Sequence, residues 1–156
     1  MDRQRDLKFE SVGDMFAEVE SLLAGHRTLG GWCFGQILFH LATTVRLSVR
    51  DPATSSTILP DPEFARASEV RRRRFFRAGR FPGGVEVPFE TLRPPVDAEE
   101  QAQAESLREA IRRFDESDGP FAVHPSLGVM SKREWAEFHL MHCAHHLGFA
   151  TVASPG

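Results

Sequence analysis

Four of the seven histidines in this 156-residue chain fall within the ten residues HLMHCAHHLG, as His139, His142, His145 and His146. Imidazoles at such spacing are candidate metal ligands, provided a helix carries them. An α-helix turns about 100° per residue, so side chains four apart lie about 40° from each other on one face. His142 and His146 therefore project together, on the stripe that also carries Trp135, Phe138 and Phe149. That stripe is expected to face a helical interior. A His-x-x-x-His pair on one helical face is a recurrent way to offer a divalent ion two nitrogens. Cys143, Ala144 and His145 lie between the pair, so there is no HExxH motif and no protease base within it. His139 and His145 fall on opposite flanks of the stripe and are expected behind the ligands, lining a cavity or partly exposed.

Two nitrogens leave a site incomplete, and a third is expected from another helix. His40 is the best candidate. It sits among Ile37, Phe39 and Leu41 in CFGQILFHLA, with Gln36 and Cys33 four and seven residues before it. A polar stripe thus crosses an apolar helix, and an unpaired buried imidazole is costly. A lone interior histidine is more often a hydrogen-bonded core residue. The combination of His40 with the pair on the last helix favours a metal. Gln36 could orient a ligand or a substrate. Cys33 could lie near a pocket mouth or act as a small buried apolar residue, and Cys143 is expected to pack. His124, in FAVHPS, could reach the pocket rim or simply structure its loop. No general base is well placed, because Glu137 falls opposite the histidine face and Glu134 reads as a helix cap.

The elements that must position these residues are helices. Val12, Met15, Phe16, Val19, Leu22 and Leu23 recur at helical spacing within residues 11–25, with Ser11 and Asp14 resembling a capping box. A second helix is predicted from about Trp32 to Arg50, a third over 63–79, and a fourth within 96–119, with Asp97 as N-cap. The last opens on Ser131, with Glu134 three residues on, and runs to about Val152. Residues 81–95 hold Pro82, Gly83, Gly84, Pro88, Pro94 and Pro95, and read as an extended crossover. The expectation is one all-α domain over 1–156: a four-helix bundle with one extra, shorter helix and a long proline- and glycine-rich crossover.

Composition excludes several classes. The net charge of −3 gives no general pull toward nucleic acid or anionic membrane, and no apolar run approaches the length of a membrane span. The Arg71–Arg74 run spans a full helical turn rather than one stripe, is balanced by the acidic 97–118 helix, and is read as solvated or ion-paired. The charged N-terminus lacks the apolar centre of a signal peptide. Cys33 and Cys143 form no CxxC pair and read as thiols in a reducing cytoplasm. Leu140, Ala144 and Leu147 give the last helix a second apolar side, to be covered by the 81–95 crossover or by a second subunit in a homodimer.

The stretches WCFGQILFHLA and WAEFHLMHCAHHLGF resemble the DinB/YfiT-like superfamily of bacterial metal-binding four-helix bundles, and HPSLGVMSKREW looks like an uncharacterised branch of it. The resemblance spans most of the chain, though 51–118 adds little. It implies a metal held by one histidine of the second helix and two of the last, here His40, His142 and His146, with His145 an alternative to His146. It implies Zn²⁺ or Ni²⁺ as the ion. It also implies metal-dependent chemistry on a small molecule, as in thiol transferases that use low-molecular-weight thiols or in hydrolases. Three neutral imidazoles leave such an ion an open position, where water or a thiol would lose its proton near neutral pH. The rival expectation is a non-catalytic bundle that keeps the metal for structure, sensing or stress response.

Overall fold

The computed structural model describes residues 3–50, 60–82 and 93–154. The chain is mostly helical and compatible with a helical bundle. In order it forms α1 (Val12–Ala24), β1 (His26–Thr28), α2 (Phe34–Ser48), α3 (Pro62–Ala78), α4 (Glu100–Glu116), α5 (Lys132–Leu147) and β2 (Ala150–Val152). Among the described residues, no helix is long and apolar enough to cross a membrane.

The centre is α2, where eleven of fifteen residues are buried. It meets the segment leading into α4 at Gly35, where any Cβ would collide with the carbonyl oxygen of Ala98. Only glycine lets the two backbones approach there. Leu38, Leu41 and Val45 of α2 share one core with Met15, Val19 and Leu22 of α1, Leu107, Ile111 and Phe114 of α4, and Trp135, Phe138 and Leu147 of α5. Burying an aliphatic or phenyl side chain of this kind stabilises by about 1.5–3 kcal/mol.

Helix starts follow local chemistry. The Ser131 hydroxyl accepts from the Glu134 N–H at 3.1 Å, and the Glu134 carboxylate accepts from the Ser131 N–H at 3.1 Å, closing the capping box expected for α5. Asp61 caps α3 by accepting from Glu63 and Phe64, with Pro62 in the first turn, where a missing N–H costs nothing. Glu99, rather than Asp97, caps α4: its carboxylate accepts from Gln101 N at 3.0 Å and Ala102 N at 2.8 Å.

Several expectations need correction. The third helix is not short: α3 has 17 residues, as many as α4. It contributes Phe75 and Phe76 to the edge of the core. Helix α5 stops at Leu147 and not near Val152, because Ala150–Val152 pair antiparallel with Thr28, Arg27 and His26. Three-residue strands carry too little sequence to show a period. Phe149 therefore leaves the helical stripe and meets His145 instead. The arginine run, by contrast, is ion-paired in part, as expected. Arg71 and Arg72 donate to the carbonyls of Ser126 and Leu127, Arg72 also meets Glu134, and Arg73 meets Glu69. In α4, Glu109 and Glu116 pair with Arg112 and Arg113 of the same helix, and Glu100 lies 3.1 Å from His26 Nε2.

The second apolar side of α5 is covered within the chain. Leu147 is fully buried and Ala144 nearly so. The N-terminal segment runs along this end of the helix, with Arg5 N donating to the Gly148 carbonyl at 2.8 Å and Arg5 Nε to that of Ala150 at 2.7 Å. Arg5 also pairs with Glu18 of α1. Val12 and Met15 of α1 lie with Leu140 around a cavity of about 50 Å³. The expected crossover lies mostly outside the described residues, which omit 83–92.

Candidate metal centre

Helices α2 and α5 bring His40, His142 and His146 together. One nitrogen from each lies within 4.8 Å of the other two. The Nε2 atoms of His40 and His142 are 3.1 Å apart. Two nitrogens each about 2.0–2.1 Å from one Zn²⁺ would sit about 2.9 Å apart at a right angle and about 3.3 Å apart at a tetrahedral one. The observed spacing falls between these limits, so both nitrogens can face one ion. The rings are steeply inclined to one another, with interplanar angles of 68° for His40–His142, 66° for His40–His146 and 84° for His142–His146. Three such donors would leave a four-coordinate ion one position for a further ligand.

Burial disfavours the charged form of the two α5 donors. His40 and His142 are buried and His146 is half-buried. Burial first, and then the neighbouring imidazoles, hold His142 well below the usual histidine range. The same causes lower His146 to about 2. A metal thus competes with few protons for these nitrogens at neutral pH. Aromatic rings back the triad. Phe138 stacks on His142 at 5.6 Å, Phe81 lies 5.0 Å from it, and Trp32 is 5.1 Å from His40 and stacked 5.9 Å from His146.

The other sequence candidates fall elsewhere. Gln36 does not aim at the triad by its oxygen: Oε1 accepts from the Cys33 N–H at 2.9 Å and closes the start of α2. A glutamine at the third helical position does what glutamate does in a capping box. Cys33 is exposed, which removes the reading of a small buried residue. Cys143 is buried, and burial pushes its thiol up to about 12, so it packs as a neutral group. His139 points away from the triad into the core, where Nε2 meets Ser48 Oγ at 2.9 Å and the ring stacks on Trp135. It lines the cavity of about 50 Å³ beside α1, one of the placements expected for it, rather than being partly exposed. His145 is half-buried beside Phe81, with Gln4 Nε2 at 3.3 Å from its Nδ1, and it stands outside the converging group. His124 organises its own loop: Nδ1 accepts from Ser126 N and Leu127 N at 3.0 Å each.

Two residues near the site escape a reading for ligands. Trp32 precedes α2 and was read only as its first residue, yet it covers two of the three imidazoles. Phe81 carries no positional signal, since it follows α3 on a loop. A bulky aromatic beside Gly30 and Gly31 is the one sequence cue to Trp32.

No curated protein and no solved structure matches the chain. A family model described as protein of unknown function (DUF1569) matches residues 1–152, and the chain belongs to that family.

Proposed function

We propose that this protein is a metal-dependent enzyme of the DinB/YfiT-like kind, a four-helix bundle with α3 added, in which His40, His142 and His146 hold a divalent ion such as Zn²⁺ or Ni²⁺. The observation that carries this reading is the convergence of three imidazoles from two helices, with the Nε2 atoms of His40 and His142 3.1 Å apart. A bound ion would supply a Lewis acid that keeps water or a small thiol in its nucleophilic form near neutral pH. The chain's own residues do the rest. His40 and the α5 pair fix the donors on rigid helices, and Phe138 behind His142 limits its rotation. Among the described residues, the group that could hold an ion consists of these three histidines. The chemistry we propose there is transfer to or from a low-molecular-weight thiol, or hydrolysis of a small substrate. The unpaired thiols Cys33 and Cys143 support a reducing, cytoplasmic setting.

A second reading, a metal kept for structure or sensing, draws on the near-complete burial of His40 and His142. One experiment addresses both. Metal analysis of the purified protein is expected to show one divalent ion per chain, lost in His40→Ala and in His142→Ala. Metal retained by His40→Ala would remove the triad. Loss of metal with little change in melting temperature favours catalysis, and loss with a collapse in stability favours structure.

A further inference from the structure

The net charge of −3 conceals a segregated pattern. Residues 61–80 hold seven arginines and three acids. Most of them lie on α3, in which Ser68 is the one buried residue. The Arg71–Arg74 run divides between two sides of this helix. Arg71 and Arg72 turn to the body of the chain and donate to the carbonyls of Ser126 and Leu127. Arg73 and Arg74 turn outward and join two arginines beyond the run. At about 100° per residue, Arg66, Arg73 and Arg77 fall within about 40° of one another, and Arg74 stands about 60° to the side of Arg77. All four are exposed. The ridge they form is about 16 Å long. Arg73 meets Glu69 in a surface pair, with the arginine side chain still 74% exposed, and such pairs hold their members weakly. Exposed Val70 lies in the middle of the ridge, whereas Phe75 and Phe76 pack against the core.

We infer that this ridge of α3 is a contact surface for duplex nucleic acid, held through its phosphates whatever the base sequence. The inference does not depend on the metal centre. A guanidinium group offers paired N–H donors at the spacing of phosphate oxygens. A row of them on a convex helix fits a duplex, whose major groove of about 12 Å admits an α-helix and whose backbones line that groove with charge. Other polyanions fit the ridge less well. A single strand is held by aromatic faces on which its bases stack, and the ridge carries no aromatic ring. An anionic membrane takes a basic helix that also buries large apolar side chains at the lipid boundary, but α3 turns its phenylalanines to the core. An acidic protein would need an apolar or aromatic anchor at the centre of the contact, where α3 offers Val70 alone.

Fluorescence anisotropy of a labelled DNA duplex of about 20 base pairs, titrated with the full chain between about 50 and about 200 mM salt, tests this. The logarithm of affinity is expected to fall with that of salt at a slope of about −3.6, for four phosphates, and to be alike for two unrelated sequences. Arg66→Gln with Arg77→Gln should weaken binding about ten-fold at low salt and flatten the slope to about −1.8, at an unchanged melting temperature. Arg66→Lys with Arg77→Lys keeps the charge and should retain most of the affinity. Arg112→Gln with Arg113→Gln removes the same charge from α4 and should leave the slope at the parent value. A parent protein that does not bind the duplex at low salt would overturn the inference. So would an equal loss in the α4 variant, which would make net charge and not the ridge responsible. Tighter binding of a single strand of the same length, or of phosphatidylserine vesicles, would give the ridge to that partner and overturn the duplex.

Discussion

Helix α5 holds two buried histidines three residues apart that have opposite fates. His139 and His142 are both almost inaccessible, and burial keeps both neutral, His139 at about 3. His139 is enclosed by Trp135 and Phe114, and its Nε2 is engaged by a hydroxyl. Ser48 Oγ already donates to the Val45 carbonyl at 2.6 Å, so the proton between the two belongs to His139 Nε2. That leaves Nδ1 as a buried acceptor with no partner among the described residues. His142 meets nitrogen instead: its Nε2 faces that of His40, and His146 closes the group. Burial is common to both regions. What separates a ligand from a core histidine is whether other lone pairs converge on the same point.

The largest effect expected from this contrast is on metal affinity. His142→Ala or His146→Ala should weaken binding at least about 100-fold, since two imidazoles remain where three converged. His139→Phe and His145→Ala should stay within about three-fold of the parent, because neither nitrogen set joins the group. Competition with a chromophoric chelator measures all four. A loss of metal in His145→Ala with retention in His146→Ala would reassign the second α5 ligand.

Next in size is stabilisation by the ion. A ligand that binds only the folded chain at 100 times its dissociation constant adds about 2.7 kcal/mol. Thermal or urea unfolding with and without Zn²⁺ should show a gain of that order in the parent and in His139→Phe, and none in His40→Ala. A gain in all three would mean that the ion binds elsewhere.

The two regions were unequally legible in the sequence, for physical reasons. The triad could be read because each member obeys a helical rule: His142 and His146 share a face, and His40 stands alone among apolar neighbours. The start of α5 was equally plain, because a serine and a glutamate three apart cap a helix by local bonds alone. The environment of His139 was not legible. Buried residues of α5 run from Trp135 and Phe138 through His139 and Cys143 to Leu147, around most of the helix. A helix covered on nearly all sides loses the contrast between inner and outer face on which periodicity depends. The cover itself comes from distant segments, such as Arg5 bonded at Gly148. Gln36 shows a different limit. On an apolar helix it looked like part of the site, yet its oxygen caps that helix through Cys33.

A third test acts on His139 alone. In the folded chain burial lowers it from 6.5 to about 3. Above pH 6.5 it is neutral folded or unfolded, and its contribution to stability is constant. Below that, the unfolded chain takes up a proton that the folded chain refuses. Stability is therefore lost as pH falls, by about 1.4 kcal/mol per unit until about pH 3. At pH 5 the expected cost is about 2 kcal/mol. In metal-free protein, the drop in urea midpoint from pH 7.5 to pH 5 should be smaller for His139→Phe by this amount. An equal drop in parent and variant would show that the His139 pocket admits a proton, and the contrast with a sealed core would fail.

The smallest effect tests whether the two regions are independent although one helix carries them. Ser131→Ala removes the α5 cap and should cost about 1 kcal/mol. The loss falls on the first turn, where Trp135 N donates to the Ser131 carbonyl at 2.9 Å. Trp135 stacks on His139 at 5.4 Å, whereas His142 is stacked by Phe138 and flanked by Phe81, further along and from another segment. Fraying should therefore reach the core histidine first and leave the triad in place. Metal affinity should hold within about three-fold while the folded chain becomes less stable. A ten-fold loss of affinity in Ser131→Ala would mean that the ligand pair is held by the helix as a whole rather than by the rings around it.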